Sequence, residues 1–272
     1  MNKKVSICIP VYNCKEYIGI AIESVLNQTY KDYELLVIDN NSTDGTWEEI
    51  CRYKDPRIRL LRNVTNIGAM RNWNKALEEA KFEYIKILPA DDVLYPDCVE
   101  KQVKILQDKK NDNVVIVNAF SDIIDHKGKR LFKRNTSGWN GVTSGKAAIK
   151  SNVRKGTNII GEPGLVLFRK ETALKVGGFN DEFGYAIDID YWVRLLLHGN
   201  LYTIPETLSA FRVSNNSWSA KIRKKQANDF KGFINKLYND GRYQVSSLDK
   251  IMGTVMVKIN EISRRIFYKI FL

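Results

Sequence analysis

Over the first 120 residues, short β-branched and aliphatic runs alternate with helix-period segments, and this alternation constrains the fold more than any other feature. Val5–Pro10 reads as a buried strand, and Lys15–Gln28 as a helix with Tyr17, Ile18, Ala21, Ile22, Val25 and Leu26 on one face. Tyr33–Asp39 is a second strand, after which Ser42 or Thr43 caps a helix reaching about Arg52. Strand Ile58–Arg62, helix Gly68–Ala80 and strand Phe82–Leu88 repeat the cycle, and helix Asp97–Gln107 leads to strand Val114–Asn118. Such a βαβαβαβ order predicts a parallel sheet with helices on both faces. Three strands end at polar punctuation: Pro10-Val-Tyr-Asn13, Asp39-Asn-Asn-Ser42 and Pro89-Ala-Asp-Asp92. Parallel strands place those loops at one sheet edge, where open α/β sheets bind ligands.

After Ala119 the pattern loosens. Phe120–Asp125 and Arg130–Lys133, joined by His126-Lys-Gly-Lys129, read as a hairpin, followed by a Gly- and Asn-rich region to Asn140. Gly164–Phe168 is a further strand, Glu171–Val176 a short helix stopped by Gly177-Gly178, and Asp188–His198 a helix ended by Gly199. Leu201–Ile204 and Leu208–Val213 read as two late strands. The division expected is one domain over 1–214, made of a regularly alternating half (1–119) and a looser half (120–214), with a basic helical tail over 215–272.

Charge separates that tail from the rest. Residues 221–272 hold twelve Lys/Arg against four Asp/Glu, two-thirds of the chain's net +12. A basic tail suits nucleic acid or an anionic membrane surface. Its last stretch has Ile251, Val255, Ile259, Ile262, Ile266 and Ile270 at steps of three and four, flanked by Met252, Met256, Phe267 and Phe271. Lys258, Arg264, Arg265 and Lys269 lie off that stripe, as in a helix lying in a membrane interface. Packing on the catalytic domain or on a second subunit is the competing reading. The apolar run before Pro10 is too short for a signal-peptide core, and no run approaches a membrane span. Cys8, Cys14, Cys51 and Cys98 form no CxxC pair and no metal-type spacing with His126 or His198, so they read as free thiols in a reducing cytoplasm.

The adjacent carboxylates Asp91 and Asp92, just past a strand, suit a hard divalent cation, Mg²⁺ or Mn²⁺, shared with substrate phosphates. A helix-capping turn is the plainer alternative. Tyr12, just past the first strand, suits a lid for the strand end. Asp39, at the end of the second strand, can only accept hydrogen bonds when ionised, and so suits a group that donates.

Five fragments together resemble the family-2 glycosyltransferases of the GT-A fold. They are Val5-Ser-Ile-Cys-Ile-Pro-Val-Tyr-Asn13, Glu34-Leu-Leu-Val-Ile-Asp-Asn-Asn-Ser-Thr-Asp-Gly-Thr46, Asn66-Ile-Gly-Ala-Met-Arg-Asn72, Ala90-Asp-Asp92, and Gly177-Gly-Phe-Asn-Asp-Glu-Phe183 with Asp188-Ile-Asp-Tyr-Trp-Val-Arg194. The resemblance implies an α/β chain with a Rossmann-like, mostly parallel sheet flanked by helices, and a C-terminal helical extension, in which 1–214 is the catalytic domain, 1–119 its nucleotide-binding half and 120–214 its acceptor half. It implies an inverting sugar transfer from a nucleotide sugar to a glycan or lipid-linked glycan in surface-polysaccharide synthesis, at the cytoplasmic face of a membrane.

Site roles follow from the same resemblance. Pro10, Tyr12, Asp39, Arg71 and Asp91 are the donor-binding candidates, with uracil on Tyr12 and Asp39; thymine presents the same N–H, so a dTDP-sugar is the alternative to a UDP-sugar. Asp92 is the metal ligand, and Asp188 the base that deprotonates the acceptor hydroxyl. Glu162, in Gly161-Glu-Pro-Gly164, and Trp192 are acceptor-side candidates, Trp192 fitting a core position as well; Asp190 is a second candidate base. The chain departs from the pattern at Pro89 and Ile187, where relatives carry Asp and Glu, and at Ser214, where many carry His and Arg212 is the substitute charge. A sugar-nucleotide nucleotidyltransferase would want a Gly-rich phosphate loop after the first strand, and Pro-Val-Tyr-Asn is not one. A basic nucleic-acid-binding protein would leave Asp39, Asp92 and Asp188 unexplained, so no nucleic acid is expected.

Overall fold

The computed structural model describes residues 4–135, 138–214 and 225–271, so most of the basic stretch Lys221–Lys225 lies outside the described residues. Strands β1 (Val5–Val11), β2 (Tyr33–Asp39), β3 (Ile58–Arg62) and β4 (Tyr84–Ile87) are parallel, in spatial order 3-2-1-4. Their alternating side chains build two cores, as a period of two requires. Val5, Ile7, Ile9, Leu35 and Val37 pack with α1 (Lys15–Leu26) and α4 (Cys98–Gln107). Cys8, Leu36, Ile38, Ile85 and Ile87 face the other way, toward α3 (Ala69–Glu79), α5 (Gly145–Lys155) and α7 (Ile187–Leu196).

Beyond β4 the sheet is mixed rather than all parallel. β9 (Leu167–Arg169) runs antiparallel between β4 and β6 (Val114–Ile124), and β10 (Asn200–Arg212) lies parallel to β6. The predicted strand Gly164–Phe168 resolves into a 3-10 turn, Pro163–Leu165, followed by β9, because Pro163 and Gly164 favour a turn there. The two predicted late strands are one, β10, whose register shifts between Thr203 and Ser209 absorb the polar break; the short β5 (Val93–Leu94) pairs antiparallel with it. The predicted hairpin is present: β6 continues to Ile124 and β7 (Arg130–Arg134) returns beside it. Strand β8 (Gly141–Thr143) and helices α2 (Thr46–Ile50) and α6 (Lys170–Val176) complete this part.

The C-terminal helices α8 (Gln226–Asn239) and α9 (Ser247–Phe271) share the core on the α5–α7 face through Phe230, Phe233, Ile234, Leu237 and Val257. Asp249 of α9 is paired with Arg154, and Asn260 donates to the carbonyls of Lys155 and Gly156. Only one face of α9 is covered. Leu248, Ile251, Met252, Val255, Ile259, Ile262 and Ile266 stand 43–62% exposed along the other. At Gly253 a Cβ would come within 2.2 Å of the Val153 carbonyl oxygen, so α9 approaches α5 as closely as glycine permits. We expect Gly253→Leu to cost about 1–3 kcal/mol by overpacking and to expose α9 to proteolysis; urea unfolding and C-terminal cleavage would measure it, and unchanged stability would argue against this packing.

Candidate active site

The C-terminal ends of β1, β2 and β4 meet at one edge. Ser42 and Thr43 do not cap α2 there, contrary to the sequence expectation; Gly45, in the left-handed region, precedes that helix. Instead the β2 loop latches the β1 loop. Asn13 N–H donates to Ser42 Oγ, Thr43 N–H to Asn13 Oδ1, Cys14 N–H to Thr46 Oγ1, and Lys15 N–H to Asp44 Oδ2, at 2.8–3.1 Å. Asn66 accepts from Gly68 N–H and from Asn40, whose own side-chain oxygen accepts from Asn63; Asn63 also donates to Asn72 on α3. This asparagine ladder ties the end of β2 to the helix bearing Arg71, which is exposed near its start.

Tyr12 stands 47% exposed at the end of β1, with Pro10 buried beneath it in the strand. Asp39 lies fully buried at the end of β2, accepting from Ser42 N–H at 3.2 Å and paired with Arg62 Nε at 3.1 Å. Sequence reading missed Arg62, because nothing local marks one β3 arginine as reaching across to β2.

Asp91 and Asp92 sit in the turn after β4, Asp91 half-buried and Asp92 buried. Arg212 builds this turn. Its backbone N–H donates to Asp92 Oδ1 and its guanidinium to the carbonyls of Asp91, Asp125 and His126, while the same group lies 4.5 Å over the Tyr17 ring. Asp92 Oδ2 has no hydrogen-bond partner among the described residues. Burial, then the Asp91 charge, push the Asp92 carboxyl well above the usual range. The same carboxylates reach Cys14, whose thiol is pushed up to about 12 by burial and by Asp91, Asp44 and Asp92. All four cysteines are free.

The Gly161–Gly164 loop lies against Asp92, since a Cβ on Gly164 would stand 3.5 Å from Asp92 Oδ2. From below, the buried Lys86 holds the loop through the Gly164 and Val166 carbonyls, and Trp192 Nε1 donates to the Gly161 carbonyl. Trp192 is completely buried, so its placement as an acceptor contact is corrected: the ring sits among Phe168, Phe179 and Tyr191 and supports the loop. Glu162 is buried with neither oxygen hydrogen-bonded among the described residues, and Arg134 Nη2 makes a charge contact 2.9 Å from Oε2.

Asp188, in the first turn of α7, accepts from Asn158 Nδ2 at 2.8 Å, and Asn158 also donates to the Gly161 carbonyl. Its carboxyl is raised to about 6, chiefly by burial and also by Glu162, against the Ile189 N–H, Asn158 and Arg134, which favour the ion. Asp92 and Asp188 thus both adjoin the loop that carries Glu162, with Arg134 and Arg212 the nearby cations. Asp190, the second candidate base, is buried and paired with Arg194 and Lys236 at 2.8 and 3.2 Å. Arg134 and Asn158 escaped the sequence reading, since both act only through contacts made by folding.

No group of three His, Cys, Asp or Glu among the described residues could hold a metal ion. The residues nevertheless fit a hard cation in one way. Asp92 offers a buried, unpartnered carboxylate oxygen, leaving the other coordination positions to substrate phosphate and water. No helix among the described residues is long and apolar enough to cross a membrane.

A family profile described as "Glycosyl transferase family 2" matches residues 6–176. An uncharacterized glycosyltransferase of Haemophilus influenzae is 26% identical, over 98% of this chain and 85% of that protein. A protein of Escherichia coli named UDP-Glc:alpha-D-GlcNAc-diphosphoundecaprenol beta-1,3-glucosyltransferase WfaP is 41% identical, over 39% of this chain and 42% of its own length. Among solved structures, the mannosyltransferase PcManGT from Pyrobaculum calidifontis, in complex with GDP-Man and Mn²⁺, superposes with a TM-score of 0.68 at 20% identity, over 96% of this chain and 70% of that one.

Proposed function

This chain belongs to glycosyl transferase family 2, and on that premise we propose an inverting, metal-dependent transfer of sugar from a UDP-sugar to a lipid-linked saccharide. It is a glycosyltransferase of the GT-A fold. The observation that carries the finer reading is the pair of carboxylates with unlike surroundings on either side of the Gly161–Gly164 loop. Asp92 keeps an oxygen open at the strand end, while Asp188 is poised to titrate near 6 at a helix start.

In this reading Tyr12 packs on the base, with Pro10 supporting it, and Asp39 accepts the uracil N–H once Arg62 yields one lone pair. Arg71 and Asp91 contact the phosphate and the sugar. Asp92 holds Mn²⁺ or Mg²⁺, which when bound neutralises charge on the departing diphosphate. Asp188 takes the acceptor hydroxyl proton as that oxygen bonds to the anomeric carbon and the bond to the diphosphate breaks. Asn158 fixes the orientation of Asp188, and Glu162 accepts from an acceptor hydroxyl beside Arg134. The exposed stripe of α9, rimmed by the exposed Lys258 and Arg265, supports a resting place on the inner face of a cell membrane, where a lipid-linked acceptor for surface polysaccharide is found.

Thermal unfolding against UDP, dTDP, GDP and CMP, each with and without Mn²⁺, tests the donor. At 100 times its dissociation constant the right nucleotide should add about 2.7 kcal/mol, or roughly 5–10 °C. The expected result is a Mn²⁺-dependent shift with UDP; a shift with GDP alone would overturn the base assignment.

A further inference from the structure

The β6–β7 hairpin departs from the rest of the acceptor half in composition and in position. Between Lys127 and Arg134 it carries five Lys/Arg and no acid. Lys127, Lys129, Arg130 and Lys133 are exposed, and Phe132 is 41% exposed on a strand paired only with β6. The other side of Phe132 meets Phe267 of α9 edge-on at 5.8 Å. Phe267 follows Ile266, the last described residue of the exposed stripe, so the stripe runs directly into the hairpin. The hairpin is also tied to the site: Arg212 binds the carbonyls of Asp125 and His126 in its turn and of Asp91 beside Asp92, and Arg134 reaches Glu162.

We infer that the hairpin and α9 together form one docking surface for an anionic bilayer, with the hairpin holding the mouth of the active site against the lipid. The inference rests on the reading of α9 as membrane-facing, and adds a second contact that fixes orientation. A single apolar stripe lets the body rock about the helix axis within the stripe's width; a basic, aromatic-tipped hairpin beside one end of that helix narrows this freedom. Charge decides between a bilayer and a second copy of the chain. Leu248, Met252, Val255, Ile259, Ile262 and Ile266 are spaced 4-3-4-3-4, the seam of a coiled coil. Yet the exposed cations Lys258 and Arg265 flank that seam on one side, Arg265 paired with Glu261 of its own helix, while Asp249, Met256 and Ser263 flank it on the other; Asp249 is buried against Arg154, so that flank offers no free carboxylate to Lys258 in a partner helix. Phosphate head groups satisfy the flank and the hairpin alike.

The test is partitioning of the full chain onto phosphatidylcholine vesicles, with and without roughly one-third phosphatidylglycerol, at low and high salt. Two variants are compared with the wild type: Lys127→Gln/Lys129→Gln/Lys133→Gln, and Ile259→Asp/Ile262→Asp. The triple variant should lose about a hundredfold of its binding to anionic vesicles, roughly fivefold per lysine, while keeping the wild-type unfolding temperature. Wild-type binding by the triple variant, with loss only in the Ile259→Asp/Ile262→Asp protein, would overturn the hairpin contact and leave the α9 reading standing. No binding by the wild type, or a stable dimer that Ile259→Asp/Ile262→Asp separates, would overturn both.

Discussion

Asp188→Asn is expected to lower kcat by about 10² to 10⁴ while Mn²⁺-dependent UDP binding stays near the wild-type value. Asparagine keeps an oxygen for the Asn158 donor but turns its NH2 toward the Ile189 N–H, so the main change besides that one backbone bond is the loss of proton uptake. In the wild type, kcat/KM should rise with pH through about 6 and level above it, because only ionised Asp188 accepts the proton. Glu162→Gln should move that limb to lower pH, since a neighbouring negative charge is removed; Arg134→Gln should move it to higher pH. Stability carries the complementary sign. Because folding raises the Asp188 pKa, its contribution is full below the usual carboxylate value and is lost as pH rises through about 6. The melting temperature of Asp188→Asn should therefore gain on the wild type over that interval. Release of nucleoside diphosphate measured across pH gives the rates; an Asn variant retaining more than a tenth of wild-type turnover would remove Asp188 as the base.

The second large effect is expected at Asp92, where function and stability oppose each other. Asp92→Asn keeps an acceptor for the Arg212 N–H but removes the charge that burial and Asp91 disfavour. Without ligands the variant should melt higher than the wild type at neutral pH, since a buried charge lacking full compensation destabilises. With Mn²⁺ and UDP the order should reverse, the roughly 5–10 °C ligand shift vanishing together with most activity. A variant that gains no stability and still shows the full shift would place the metal elsewhere. Pro89 makes the test sharp, because this loop offers Asp91 and Asp92 and no third carboxylate.

Much of the nucleotide half was legible in the sequence because its signals are local. The strands Tyr33–Asp39 and Ile58–Arg62 have the predicted bounds, and the other early elements differ at their ends by a few residues. The acceptor half was harder to read. A three-residue strand such as β9 has no periodicity of its own, and its antiparallel insertion between β4 and β6 depends on partners some 50 to 80 residues away in sequence. The same holds for single side chains. Trp192 and Asp188 share one helix four residues apart, yet one props the Gly161 carbonyl from within the core and the other meets Asn158 at its edge.

The sequence by itself determined the alternating α/β order, the edge at which Tyr12, Asp39, Asp91 and Asp92 gather, and the apolar stripe of the last helix, since hydrophobic period and strand-end punctuation are set by neighbouring residues. Tertiary structure alone decided that Arg62 covers Asp39, that Glu162 is buried and paired with Arg134 where its charge reaches Asp92 and Asp188, and that the stripe of α9 faces away from the body. Those are matters of burial and charge between segments distant along the chain, and desolvation acts on a carboxylate only once the fold has chosen what surrounds it.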